Sequence, residues 1–399
     1  MAPFKRLQLD RDIAPEQVPM LSVLLAAGCL TSLTGGAIAP VFPDIVEQLN
    51  LNPRWAGTLV TMPRLTIAMA SPLLGLLADR VGKVTILLPS LLGFALFGIA
   101  GALSQNLLSL LIFRGLLGVA NGGIAAASLG LVSHLFEGET RSRLMGYTTS
   151  MIALSGIMVP LLGGWLGSFH WRWAFGLYGV ALPVAIAARL ILKIPPPPPQ
   201  TDQKQNLSWQ AFPDSFLRLA GVLLTLYGAA TVFYTVIVYA PLYFQIAIGA
   251  DSVLNGTILA SRAIGAALIA AVGATRLAKR LGKANAIALG LLLMAGTLII
   301  IPFLSTAQGA LLTAFGFGLG FGIVMPNIYD TLADLASAEE RSTLLALGAG
   351  TASLGQFLSP ILLGSVWETA PETVFLVAGA IALVLALFKF FSSSLLKKH

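Results

Sequence analysis

Twelve apolar stretches follow one another with only short polar breaks, at 18–43, 54–78, 84–105, 107–133, 143–168, 172–193, 216–246, 253–275, 284–304, 308–333, 343–366 and 372–393. About 20 residues at about 1.5 Å each cover the hydrocarbon core of a bilayer, and a helix satisfies every backbone polar group there. The chain is 56% hydrophobic and 10% charged, against roughly 25% charged in an average soluble domain. No water-soluble core hides that much apolar surface. The expected class is an all-α polytopic membrane protein with twelve transmembrane helices.

The net charge of +7 invites a nucleic-acid reading, but its placement argues otherwise. Nineteen of the 24 Lys and Arg fall in the segments on one side of the predicted membrane, and two, Arg54 and Arg172, fall on the other. Such a bias marks the cytoplasmic side. The excess charge is therefore a topology signal, with both termini cytoplasmic, a bacterial inner (plasma) membrane as the expected location, and nucleic acid excluded as a partner. The first 17 residues are mixed in charge and lack a leader's short apolar core and cleavage site, so the first stretch is expected to stay as a membrane helix. The single cysteine, Cys29, rules out an internal disulfide framework and reads as a packing residue.

The longest polar stretch includes "KIPPPPPQTDQKQ" and divides the chain into an N-terminal six-helix unit (1–193), a cytoplasmic Pro-rich linker (194–215) and a C-terminal six-helix unit (216–399). The units echo each other at an offset of about 200. Gly82 and Lys83 match Gly282 and Lys283, Gly118 and Gly122 match Gly318 and Gly322, "ETRSRL" (139–144) matches "EERSTL" (339–344), and Pro160 and Gly164 match Pro360 and Gly364. A shared register across six helices implies a duplicated, pseudo-symmetric bundle. Parallel repeats with a substrate site between them near the midplane are a transporter plan.

"GLLADRVGK" (75–83) resembles the loop 2–3 signature of the major facilitator superfamily, with Gly75, Asp79, Arg80, Gly82 and Lys83 all in place. Three further stretches are similar to the drug:proton antiporter branch. They are "APVFPDI" (39–45), "LLIFRGLLGVANGG" (110–123), where Leu117 departs from the pattern, and "GYTTSMIALSGIMVPLLGG" (146–164). In the last, Gly146, Pro160, Gly163 and Gly164 match, while Ser155 and Val159 replace expected glycines. The resemblance implies the major facilitator fold, a monomer, and alternating access by rocking of two bundles. It implies that the loop 2–3 residues form a conformational gate in which Asp79 holds the halves together from the start of the eleventh helix, at 342–345. A carboxylate suits that position, because the first N–H groups of a helix have no partner of their own.

No acid is expected at mid-membrane, but Arg64, Arg114 and Arg262 lie deep, and an arginine there costs about 2.5–3.5 kcal/mol on insertion scales. Arg64 and Arg262 occupy similar depths of repeat-equivalent stretches, "GTLVTMPR" and "GTILASR". They are expected to converge on a central cavity, where a guanidinium pair suits carboxylate or phosphate. Asn121, Tyr234, Tyr239 and Gln245 are further substrate-binding candidates. Asp44, after Pro40 and Pro43, is the candidate proton-coupling acid, and the family resemblance assigns Arg114 to proton coupling as well. No catalytic grouping, metal-ligand spacing or phosphate-binding glycine loop occurs, so no cofactor is expected and the chain reads as no enzyme. The expected function is secondary active transport of a small amphipathic molecule by proton-coupled efflux, of the drug-resistance type; the alternative is transport of an organic or inorganic anion held by Arg64 and Arg262.

Overall fold

A computed structural model describes residues 18–135, 138–192, 214–336 and 341–396. The first 17 residues and nearly all of the expected linker lie outside this range, although Asp214 already opens a helix. Among the described residues there is no strand, and twelve helices are long and apolar enough to cross a membrane. The N-terminal bundle holds α1 (Val18–Gln48), α2 (Arg54–Val81), α3 (Lys83–Leu103), α4 (Leu107–Ser128), α5 (Gly146–Gly167) and α6 (Trp171–Ile191). The C-terminal bundle holds α7 (Leu217–Ile248), α8 (Ser252–Val272), α9 (Lys283–Phe303), α10 (Ala307–Leu335), α11 (Thr343–Thr369) and α12 (Thr373–Phe391).

Burial runs inside out relative to a soluble protein. Leu73, Leu103 and Leu190 are 67%, 78% and 80% exposed, while Arg114, Asn121 and Asn327 are buried. Lipid solvates leucine as well as a protein interior does, so the helices associate through close packing of small residues and buried polar contacts. The matched glycines do this work in each half. Gly118 lies against the backbone of Pro63 and Gly122 against Ser71, joining α4 to α2. Gly318 and Gly322 lie against the carbonyls of Arg262 and Ala266, joining α10 to α8. A side chain at Gly118, Gly318 or Gly322 would push these helices apart.

Breaks in the helices follow the sequence. α1 is helical over Val18–Gly36, turns through the 3-10 segment Ala39–Val41 and resumes at Phe42–Gln48. Two glycines followed by Pro40 and Pro43 account for it, since proline lacks the N–H that a continuing helix needs. The turns after α2 and before α9 need Gly82 and Gly282, whose φ values of 97° and 85° disfavour a side chain. Each caps the preceding helix through its N–H, on the carbonyls of Ala78 and Ala278. These loops mark one end of the molecule, called here the basic end.

The halves meet at the opposite end through two pseudo-symmetric seams. In one, α2 meets α11: a Cβ on Gly57 would lie 2.6 Å from Pro360 Cβ, Gly364 sits against Arg54, Arg54 pairs with Glu368 at 3.8 Å, and Thr61 Oγ1 donates to Phe357 O at 3.3 Å. In the other, α5 meets α8: a Cβ on Gly256 would lie 2.5 Å from Pro160 O, Gly164 sits against Ser252, and Ser252 Oγ donates to Gly164 O at 3.0 Å. Toward the basic end of the same helices, Gly146, Gly156 and Gly350 have nothing within 4 Å of a built Cβ. The two bundles are closed at the opposite end and parted at the basic end.

Candidate functional site

Where the halves part, they enclose a cavity of about 290 Å³. Its lining comes from both bundles: Ser32, Gly35, Gly36 and Ala39 of α1, Arg64 of α2, Ile152, Gly156 and Pro160 of α5, then Phe233, Tyr234 and Ile237 of α7, Leu259 and Arg262 of α8, and Phe321 of α10. The α1 contribution falls at that helix's break, so the broken backbone faces a cavity rather than lipid.

Arg64 and Arg262 both reach this cavity, one from each half. Arg64 is half-buried, donates from Nε to the Tyr234 hydroxyl, and places its guanidinium carbon 5.5 Å from that ring's centre. Arg262 is 9% exposed and lies 4.5 Å from the centre of the Phe233 ring. Phe233 in turn stacks on Phe321 at 4.0 Å. The Nε of Arg262 is buried without a hydrogen-bond partner among the described residues. Among the described residues neither arginine has a carboxylate partner, and the lining holds no Asp or Glu. The ring faces meet part of the guanidinium charge, but two cations facing one cavity without an acid leave a net attraction for an anion.

The other candidates fall elsewhere. Asn121 is buried inside the N-terminal bundle, donating from Nδ2 to Thr34 Oγ1 at 2.7 Å while its Oδ1 has no partner. Tyr239 stacks on Trp367 at 5.1 Å and donates to Pro360 O at 3.2 Å, so it braces α7 against α11 outside the cavity. Gln245 is at the opposite end, 3.4 Å from Glu47 across the halves. Of the six expected substrate contacts, the cavity gathers Arg64, Arg262 and Tyr234. It adds Phe321, which stands at the repeat position of Asn121 and would have been found by carrying that pseudo-symmetry through.

Arg114 is 1% exposed and bonded to neutral acceptors: Nε to Leu59 O at 3.1 Å, Nη1 to Tyr178 Oη at 2.8 Å and Nη2 to Thr34 O at 2.5 Å. The carbonyls of Leu33 and Thr34 belong to the last turn of α1's first segment, where helix carbonyls lack partners and the dipole is negative, so a cation is well placed there. Asp44 is half-buried in α1's last segment, near Glu47 and Asp251 and away from the cavity lining.

In the loop 2–3 stretch Asp79 is exposed and 3.9 Å from Lys83. It makes no bond to the start of α11 among the described residues, because this end is parted. Gly75 meets only Ala126, at an ordinary 3.8 Å, and Arg80 is exposed. Pro160, Gly163 and Gly164 of the α5 motif belong to the closed end, where Gly163 abuts the Ala37 carbonyl, while Gly146 faces open space.

Comparison with known proteins places this arrangement. Residues 24–360 match the family model for the Major Facilitator Superfamily. The chain is 23% identical to the multidrug transporter protein MdtP of Bacillus subtilis (strain 168), over 87% of this chain and 74% of that protein. It is also 23% identical to the quinolone resistance protein NorA of Staphylococcus aureus (strain MSSA476), over 87% and 90% of the two. The crystal structure of a bacterial homologue of the human lysosomal transporter Spinster, inward-facing and occupied, superposes with a TM-score of 0.80 at 16% identity, covering 96% of this chain and 98% of that one. The chain is a multi-pass integral membrane protein and belongs to the Major Facilitator Superfamily of transporters.

Proposed function

We propose that this transporter carries a small amphipathic organic anion by alternating access. One observation carries the reading: two guanidinium groups from opposite halves face a single cavity whose described lining contains no carboxylate. The acid group of the substrate sits between Arg64 and Arg262 and accepts a hydrogen bond from the Tyr234 hydroxyl, whose oxygen already accepts from Arg64. The apolar body lies against Phe233, Phe321, Ile237 and Leu259. At about 290 Å³ the cavity sits at the small end of ligand pockets, which run from about 300 to 1,000 Å³. Closure of the basic end, with Asp79 as the latch on α11, and opening of the two seams expose the same site to the other side. The names of MdtP and NorA favour export as the direction.

A second reading is proton-coupled efflux of a neutral or cationic amphiphile, and the α5 motif favours it. In it, Asp44 takes up the coupled proton and Arg114 supports the transfer, as the family resemblance implies. Proteoliposomes with a pH dye inside, challenged with matched radiolabelled anionic, neutral and cationic compounds so that compound uptake and proton movement are both read, separate the two. Uptake of anions alone, lost in Arg64→Ala and Arg262→Ala, is the expected result. Proton movement with cationic or neutral compounds that survives both substitutions would sink the anion reading.

A further inference from the structure

The repeat is asymmetric at the basic end. In the N-terminal half the helix of α2 runs unbroken to Val81, and its last turn carries Asp79, which neutralises Lys83. In the C-terminal half α8 stops at Gly273, and a separate helix, Ala274–Leu281, leads to the glycine turn. Its sequence, ATRLAKRL, sets Arg276, Lys279 and Arg280 on one face and Leu277 and Leu281 on another. All three cations are exposed, and none pairs with an acid among the described residues. Lys283 opens α9 just past the glycine turn and is held by Asp330 at 2.6 Å and Asp334 at 2.5 Å, which fixes the turn that follows this helix to α10. The apolar side chains beside it point outward as well, with Val272 53% and Leu281 43% exposed. Between the short helix and α10 lies a recess of about 560 Å³ lined by Thr275, Lys279, Lys283, Asn327 and Asp330, among others.

We propose that the helix Ala274–Leu281 docks anionic phospholipid at the basic end of the molecule. A short helix with three exposed cations on one face and leucines on another, followed by a turn fixed to α10, matches a lipid whose headgroup is negative and whose chains are apolar. Arg276, Lys279 and Arg280 take the phosphate, the headgroup extends into the recess, and an acyl chain lies along Val272 and Leu281. The equivalent N-terminal loop, with its acid in place, lacks this preference. The bound lipid ties α8, which carries Arg262, to the surface of the bilayer.

The test needs no knowledge of the substrate. Thermal unfolding of the purified full chain in a neutral detergent is followed with added phosphatidylglycerol, phosphatidylcholine or inorganic phosphate, for wild type, Arg80→Gln and the triple variant Arg276→Gln/Lys279→Gln/Arg280→Gln. Phosphatidylglycerol is expected to raise Tm by about 2 °C or more over phosphatidylcholine in wild type and Arg80→Gln, fading with salt, with the increment lost in the triple variant. An equal increment in the triple variant, no preference for phosphatidylglycerol, or the same rise with inorganic phosphate overturns the proposal. Should the triple variant fail to fold, the three single variants are read in the same way, each with a reduced increment.

Discussion

Arg64 of α2 and Tyr234 of α7 are hydrogen-bonded, Nε–H to phenolic oxygen, inside the cavity and across the divide between the two halves. The bond orients a guanidinium that no acid among the described residues holds, and it leaves the tyrosine's own proton free for a ligand. Tyr234→Phe removes both contributions without changing charge. A neutral hydrogen bond contributes about 1 kcal/mol, so the anion KM is expected to rise roughly fivefold with Tm unchanged. An unaltered KM would show that the hydroxyl takes no part in binding.

Arg262 contributes charge from the other half, with its Nε unbonded and its plane against Phe233. Arg262→Gln is expected to raise the anion KM at least about tenfold, equivalent to about 1.4 kcal/mol. Arg262→Lys keeps the charge but not the planar fork, and falls between the two. Equal transport by all three proteins in proteoliposomes would remove Arg262 from the site.

Arg114 is the strongest structural commitment in the N-terminal bundle, because its three acceptors are on α1, α2 and α6. Arg114→Met leaves two carbonyls and a phenol without their donor in a buried place, an expected loss of about 2–4 kcal/mol. Thermal unfolding in detergent measures it. Arg114→Lys restores the charge without the three-way geometry and is expected to recover only part of the stability.

The closed end rests on glycine contacts, so adding methyl groups there tests the conformational assignment. Gly256→Ala sets a Cβ against the Pro160 carbonyl, and Gly57→Ala sets one against Pro360. Both should shift the protein away from this state. A cysteine at Ala39, in a Cys29→Ser background, is expected to become more reactive to an impermeant maleimide from the opposite end and less from the basic end. Unchanged labelling from both ends would mean that the seams do not govern closure.

Asp79 is exposed here, and its one ion pair among the described residues is with Lys83. A surface pair of this kind contributes about 0–1 kcal/mol, so Asp79→Asn should unfold at the wild-type temperature. If the carboxylate latches onto α11 in the alternate state, the same variant loses transport. Wild-type transport by Asp79→Asn would refute the latch.

Much of this molecule is written in the chain order of its residues. Helix existence follows from the length of the apolar stretches, because bilayer thickness sets how many residues a span needs. The pseudo-symmetry follows from Gly82 and Gly282, whose positive φ admits little else, and from Gly118 and Gly318, which sit where two backbones nearly touch. The depth of Arg64 and Arg262 is countable from the helix rise, so their meeting in one cavity was legible too.

What the sequence could not settle is the azimuth of each side chain. In water a helix announces its inward face by contrast with its polar one, whereas α7 is apolar on every side that meets lipid or protein. Tyr234 and Tyr239 look alike in such a helix, yet packing turns one into the cavity and the other against Trp367. Asn121 faces Thr34 while its repeat counterpart Phe321 faces the cavity, because Arg114 and Tyr178 fill the N-terminal bundle and Ala314 and Ala378 stand in their places in the other. Sequence alone determined the twelve spans, their duplication and the depth of the charges, all of which depend on local length and backbone geometry. Only the tertiary structure decided which side chains share the cavity and which end is closed, because both depend on how helices rotate and pack against one another.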